Sequence, residues 1–452
     1  MSAPRVAVML ALALIASAQP QPDLILTGAI TRADHQTYKE VAFTVPEGVA
    51  RLTVEFAYST REQQTVIDLG IFDGERFRGW SGGNKSAFTL SATDATPSFL
   101  PGPIRPGRWF LLLGVPNIRE GVRSKFTARI YFGRTDAPPL RSGEAWYRGD
   151  LHTHTGHSDG SCSSQSGARV PCPVYKTVQA AADRGLDFIA ITDHNTTSQF
   201  DDLRELQPYF DRLLLIPGRE ITTFHGHANV FGPVDFMDFR LGVAALHGLI
   251  SINHPMAPTG EACMGCGWTV ANTDFRHIDA IEAVNGGVTD GLYSGIPFWE
   301  DLLNRGFRLT AVGGSDNHDA GKSLDQPGSV GYPETVVHAA ELSQRAILDG
   351  IRAGHVFLDV EGSKTRALEY TASVGARNAQ MGDAISATRG EVVRITVHVE
   401  NVPNPSIELI EDGHPQESSE WTSDGARHWI RVVVRTPDGH PVLLGNPIYI
   451  NY

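Results

Sequence analysis

Between residues 145 and 360, one apolar strand-like segment after another ends in His, Asp or Glu. "DFIAITDH" closes on Asp193 and His194, "RLLLIPGREI" carries Glu220, and "HGHANVFG" carries His225 and His227. "GLISINHP" delivers His254, and "RLTAVGGSDNH" delivers Asp316 and His318. The series opens with "GDLHTHTGHSDG", Gly149 to Gly160, which sets His152, His154 and His157 between Asp150 and Asp159. Residues two apart on a strand share a face, so His152 goes with His154 and Asp316 with His318. A single polar residue at a strand end is ordinarily a cap or a satisfied core group. Imidazoles and carboxylates converging from every strand onto one rim are costly to hold together without a cation. The chain must therefore adopt a fold that gathers these strand ends.

The intervening stretches "VYKTVQAAADRG", "FDDLRELQPYF" and "ELSQRAILDGIRAG" are amphipathic at helical spacing. Repeating strand and helix predicts an α/β class with a parallel sheet or barrel and its ligand site at the strands' C-terminal ends. Residues 23–136 read differently: "ARLTVEFAYS", "RWFLLLGV" and "KFTARIYFG" alternate apolar and polar positions, which predicts an antiparallel β-sandwich. "APPLRSGEAW" reads as a linker after it. From 365 to 452 short strands return, among them "EVVRITVHVE" and "HWIRVVVRT", and predict a small C-terminal β domain.

The balance of 38 basic against 51 acidic residues argues against a nucleic-acid partner, whose binding rests on Lys and Arg neutralising phosphates. It leaves a small phosphorylated substrate open, because bound metal ions invert the local charge. Arg5, the apolar run "VAVMLALALI" and Ala16-Ser17-Ala18 predict a signal peptide over 1–18 and a periplasmic or secreted protein, an uncleaved anchor being the alternative. No later stretch reaches 18 uninterrupted apolar residues, so no transmembrane segment is expected after its removal. In an oxidising compartment Cys162, Cys172, Cys263 and Cys266 allow three pairings. We favour Cys162 with Cys172 and Cys263 with Cys266 as loop staples, and a redox role for the CxxC pair is the lesser alternative.

A donor set of His with Asp and Glu and no thiolate suits Zn, Mn or Fe. It exceeds what one ion takes, which implies two or three. Two such ions lower the pKa of a bridging water to give hydroxide for attack on a P=O or C=O centre. "DAGKS", Asp319 to Ser323, lacks the glycine spacing of a phosphate-binding loop, although Lys322 is a candidate contact for a substrate phosphate.

"DLHTHTGHSDG", "ITDHN", "GREITT…HGHANVFG", "INHP" and "GGSDNH", in this order, resemble the PHP (polymerase and histidinol phosphatase) metallohydrolase superfamily. "GHANVFG" and the closing "NPIY" are similar to its carbaryl-hydrolase-type exported branch. The resemblance implies a distorted (β/α)7 TIM-like barrel over 145–362, flanked by the two β regions. It implies that His152, His154, Glu220 and Asp316 hold one metal, that Glu220, His227 and His254 hold a second, and that Asp159, His194 and His318 hold a third. His194 or Asp159 would supply a proton to the leaving group if the third ion is absent. Arg219 would contact a substrate anion or form a structural salt bridge. His225 ranks below His227 as a ligand, and His157 has no family counterpart. Asp150 and Asp193 are expected to orient imidazoles, and Asn195, Asn253 and Asn317 to support neighbouring ligands.

These readings converge on an exported metal-dependent hydrolase of small molecules, acting on phosphoesters. Hydrolysis of a carbamate, ester or amide by the same centre is the alternative. A binding or surface-interaction protein with a silent barrel is disfavoured by the complete ligand set. Oligomeric state is left open.

Overall fold

The computed structural model describes residues 21–92, 94–133, 139–232, 237–261 and 263–452. The expected signal peptide and the first two residues of the expected linker lie outside this set. Among the described residues no helix is long and apolar enough to cross a membrane. The chain divides into two compact units, residues 1–136 and 137–452.

In the first unit, strict alternation makes two four-stranded antiparallel sheets. Leu52, Val54 and Phe56 of one sheet and Trp109, Leu111 and Leu113 of the other are buried in a single apolar core. Each strand offers every second side chain to that core, and the polar residues between them face out.

The second unit is built on a mixed 15-stranded sheet. From one end it runs Thr310–Gly314, Ala280–Asn285, Leu249–Ile252, Gly226–Phe231, Leu214–Thr223, Phe188–Ile191 and Arg141–Asp150. It continues through Glu334–Leu342 and Val356–Asp359 into Pro441–Gly445, His428–Arg435, Ser406–Glu411 and His414–Gln416. Of the strands after 365, Ala367–Val374, Arg377–Gln380, Val392–Glu400 and Glu420–Thr422 form a separate four-stranded sheet, while these four, together with Ala384–Ile385 and Ile448–Ile450, extend the same 15-stranded sheet. Asn446 of "NPIY" is buried at this junction, where its side chain accepts from Ala311 N at 2.7 Å and donates to Ala311 O and Val356 O, each at 2.9 Å.

The predicted α/β class and its (β/α)7 barrel are corrected by this topology, which is mostly β with large mixed sheets. The described residues form only four α-helices: Val174–Arg184, Gln199–Leu206, Ile296–Asn304 and Gln344–Arg352. Leu214–Thr223 turns directly into Gly226–Phe231, and that strand pairs antiparallel with Leu249–Ile252. A right-handed helical crossover cannot join such neighbours, so the β-α repeat breaks in the middle of the sheet. The apolar runs were fully buried strands as read, but fully buried strands occur in mixed sheets as well as in barrels.

Candidate metal centre

His152 and His154 follow the Arg141–Asp150 strand, where Thr153 bridges to Asn317. Both imidazoles are buried. Gly314 packs so close to His152 that a side chain there would overlap it: an added Cβ would lie 2.3 Å from the His152 Cβ and 2.6 Å from Glu282 Oε1. Asp316 (φ 51°) and His254 (φ 26°) adopt left-handed backbone conformations at their strand ends. Such geometry is uncommon outside glycine and persists where the surroundings impose it, most often at functional sites.

Glu220 lies buried at the middle of the cluster. Its Oε2 faces His194 Nδ1 at 2.8 Å and both His152 Nε2 and His154 Nε2 at 3.5 Å. Its Oε1 faces His227 Nδ1 at 3.2 Å and His254 Nε2 at 3.3 Å, and accepts from Asn253 Nδ2 at 2.9 Å. Asp316 Oδ1 stands 3.3 Å from His152 Nε2 and 3.2 Å from His154 Nε2. A more exposed group follows, in which Asp159 Oδ1 lies 3.2 Å from His318 Nε2 and 3.7 Å from His194 Nε2.

The structure thus brings together every residue expected as a ligand. Donor atoms lie within 4.8 Å of one another in the sets His152/His154/Glu220, His152/His254/Asp316 and His154/Asp159/His194/His318. His227, His254 and Cys266 form a further set.

Other expected roles change. Arg219 alternates with Glu220 on its strand and is buried on the far side, with Cζ 5.4 Å from the Phe200 ring centroid, so it does not reach the cluster. Asp150 and Asp193 hold backbone and hydroxyls instead of imidazoles. Asp150 accepts from the amides of His152, Ser315 and Gly331. Asp193 accepts from Thr155 and Ser158. His157 turns away to Ser198 and Asp202, and His225 is exposed, binding Thr269 through its backbone carbonyl. Asn195 exchanges two hydrogen bonds with the Thr222 backbone, and Asn317 donates to Asp319 O and Gly328 O.

Glu282 is the principal residue that sequence reasoning missed. Its Oε1 lies 2.8 Å from His152 Nδ1, while its Oε2 accepts from the His254 amide at 2.8 Å and from Asn285 Nδ2 at 3.1 Å. A carboxylate on Nδ1 fixes the tautomer that leaves Nε2 free as a ligand. The signal was present: a glutamate inside the apolar run "AIEAVN" is almost never buried without a partner. Beside the cluster opens a cleft of about 380 Å³, lined among others by Arg169, Asn285, Tyr293, Asp316, His318 and Lys322. Arg169 comes from the Ser161–Ser163/Arg169–Pro171 hairpin, which the Cys162–Cys172 pair crosslinks.

Without an ion, the imidazoles carry the compensating charge. Burial works against protonating His254, but Glu220 beside it outweighs burial and pushes it up to about 9. His318 is likewise pushed up to about 9, against its burial, by Asp159 and Asp316. Glu220 and Asp316 are held well below the usual carboxylate range, in spite of burial, by the histidines around them. A histidine raised above its unfolded value of about 6.5 stabilises the fold fully below that pH and ceases to do so as pH rises through the folded value. The depressed carboxylates act oppositely, and their contribution is lost as pH falls below about 4.5. Chelator-treated protein is therefore expected to be most stable between about pH 4.5 and 6.5 and to lose Tm steadily toward pH 9. A metal-free Tm that climbs over that alkaline interval would contradict the assignment.

No family model and no curated protein sequence matches the chain. Solved structures similar to it include two whose descriptions bear on the site. One is a two-domain protein from Bacteroides vulgatus containing a predicted PHP-like metal-dependent phosphoesterase, 19% identical, covering 70% of this chain and 97% of its own, with a TM-score of 0.37. The other, from Bifidobacterium adolescentis and provisionally named a metal-dependent phosphoesterase, is 16% identical and covers 44% of this chain and 95% of its own, with a TM-score of 0.30. Likeness at this level carries no inference about chemistry, which rests on the donor groups themselves.

Proposed function

We propose that the protein is an exported, metal-dependent hydrolase of small-molecule phosphoesters, using two or three divalent ions drawn from Zn, Mn and Fe. The observation that carries this reading is the division of Glu220, whose two carboxylate oxygens face two separate histidine sets. A buried carboxylate placed this way is built to bridge. The donor set fits such ions: His152 Nε2 and His154 Nε2 are buried with no hydrogen-bond partner, an arrangement that is costly unless a cation accepts their lone pairs. His152, His154, Glu220 and Asp316 would hold one ion, and Glu220, His227 and His254 another. When bound, the ions would lower the pKa of a water for nucleophilic attack and polarise the phosphoryl oxygen.

The chain's own residues supply the rest. Asp159 is held well below the usual carboxylate range, its burial outweighed by His318 and His194, so it is ionised at neutral pH and does not serve as an acid. His318 lines the cleft, with Nε2 beside Asp159 and Nδ1 2.9 Å from Asp316 O. With no ion in that group, His318 Nε2 is the atom positioned to hand a proton to the leaving oxygen. Arg169 and Lys322 bring positive charge to the same cleft, where Arg169 pairs with Asp319 at 2.8 Å and Lys322 donates to Pro327 O.

Arg169→Ala and Lys322→Ala are each expected to raise KM for a phosphoester roughly tenfold with little change in kcat, since they would bind the substrate's anion outside the reacting bonds. Steady-state kinetics on the two variants checks this. Val288 and Tyr293 also line the cleft and favour the second reading, in which the same centre cleaves an aryl carbamate or ester. Comparing p-nitrophenyl phosphate, bis-p-nitrophenyl phosphate and 1-naphthyl N-methylcarbamate separates the two. Turnover of the carbamate alone would replace the phosphoesterase assignment.

A further inference from the structure

The Cys263–Cys266 pair lies against the second histidine set, and its loop makes contacts there that packing alone does not require. His254 Nδ1 donates to Cys266 O at 3.1 Å, and His227 Nε2 lies 3.4 Å from Met264 O. A carbonyl can only accept, so each contact puts the imidazole proton on the far nitrogen and turns the bare nitrogen toward Glu220. The loop is pressed into place from both sides. Gly265 has φ +80°, and a Cβ there would lie 2.1 Å from Thr223 O. Gly267 N donates to Thr259 Oγ1 and Trp268 N to the O of Pro255, the residue after His254, both at 2.9 Å. Cys266 is buried, while Cys263 is exposed. The other pair differs: Cys162 and Cys172 are both buried in their hairpin.

We infer that the Cys263–Cys266 disulfide is a positioning device for the second metal site, holding two backbone carbonyls that set the tautomers of His227 and His254. This rests on the metal reading above. Breaking the bond takes two electrons and two protons from an external dithiol, which leaves as its own disulfide, and yields two thiols. The freed loop no longer fixes the carbonyls, and loss of such outer partners typically weakens metal binding by 10- to 100-fold. The exposed Cys263 sulfur gives a reductant access that the hairpin pair does not.

The test uses the full-length mature protein loaded with Zn²⁺ and titrated with a competing chelator, with bound zinc read by mass spectrometry and a parallel Co²⁺ series read by visible absorption. Cys263→Ser/Cys266→Ser is compared with Cys162→Ser/Cys172→Ser. To separate positioning from folding, wild type reduced at this bond alone, as verified by thiol mapping, is measured beside them. The expected result is one zinc equivalent weakened by roughly 10- to 100-fold in the first variant and in the reduced protein, the others unchanged, and the hairpin variant like wild type. Unchanged affinity for every equivalent would overturn the inference. Tighter binding by the reduced protein with a cobalt–thiolate charge-transfer band would overturn it too, by making Cys266 a ligand. Oxidised wild type that binds neither Zn²⁺ nor Co²⁺ would instead bring down the metal reading on which it stands.

Discussion

Glu220→Ala is expected to release the bound metal and to lower kcat/KM for a phosphoester by roughly a thousandfold or more. Among the described residues, no other side chain presents one oxygen to His152 and His154 and the other to His227 and His254. Its removal would take a ligand from both proposed ions at once and would leave five inward-facing imidazoles, His194 included, with Asp316, Glu282 and Asp159 as the carboxylates still close to them. Glu220→Gln keeps the shape but replaces one oxygen by an amide that can only donate, so it is expected to lose one ion more readily than the other. The variants also bear on stability. Removing one member of a buried charged group costs about 3–5 kcal/mol because its partners stay buried and uncompensated. Metal analysis, activity and thermal scans on the same preparations separate these effects. Full activity in Glu220→Ala, or native protein that carries no metal, would end the proposal.

The donors were legible because each interrupts an apolar run at its end, where a charge has no reason to sit. That anomaly is local, and one chain suffices to see it. The fold around them was not legible in the same way. "GREITTFHGHANVFG" looks like a strand, a ligand segment and the start of another βα unit, but it folds back on itself through a two-residue turn at Phe224 and His225, and the next strand also runs antiparallel. Nothing in residue periodicity distinguishes a buried parallel strand from a buried antiparallel one. The same gap left Arg219 open between a substrate contact and a structural role: a neighbour in sequence on a strand points to the opposite face. Arg169 was out of reach for another reason. It sits in a crosslinked hairpin that follows the first ligand motif but carries no donor pattern of its own, and only the path of the chain brings it to Asp319 and the cleft.

Asp150 shows how the rim is held, and Asp150→Asn is the second large effect. The carboxylate ends the Arg141–Asp150 strand, is fully buried, and draws three separate segments together. Oδ1 accepts from His152 N at 3.1 Å and Ser315 N at 3.0 Å, while Oδ2 accepts from Gly331 N at 2.8 Å. Two of those amides belong to or directly precede presumed ligands, His152 and Asp316. An asparagine keeps one acceptor oxygen and turns an NH2 toward whichever amide remains. At least one buried N–H is then unpaired and faces another donor, at a cost of about 1–3 kcal/mol for the lost partner, with the donor–donor contact in addition. A total of roughly 2–4 kcal/mol corresponds to a Tm drop of about 3–6 °C in a unit of this size. Zinc affinity is expected to fall with it by about tenfold, because His152 and Asp316 lose the anchor that sets their spacing. Asp193→Asn provides the comparison: it would disturb Thr155 and Ser158 but neither of those backbone anchors. Thermal scans with and without Zn²⁺ decide the matter, and an Asp150→Asn protein with wild-type Tm and zinc affinity would show that the rim is set by packing alone.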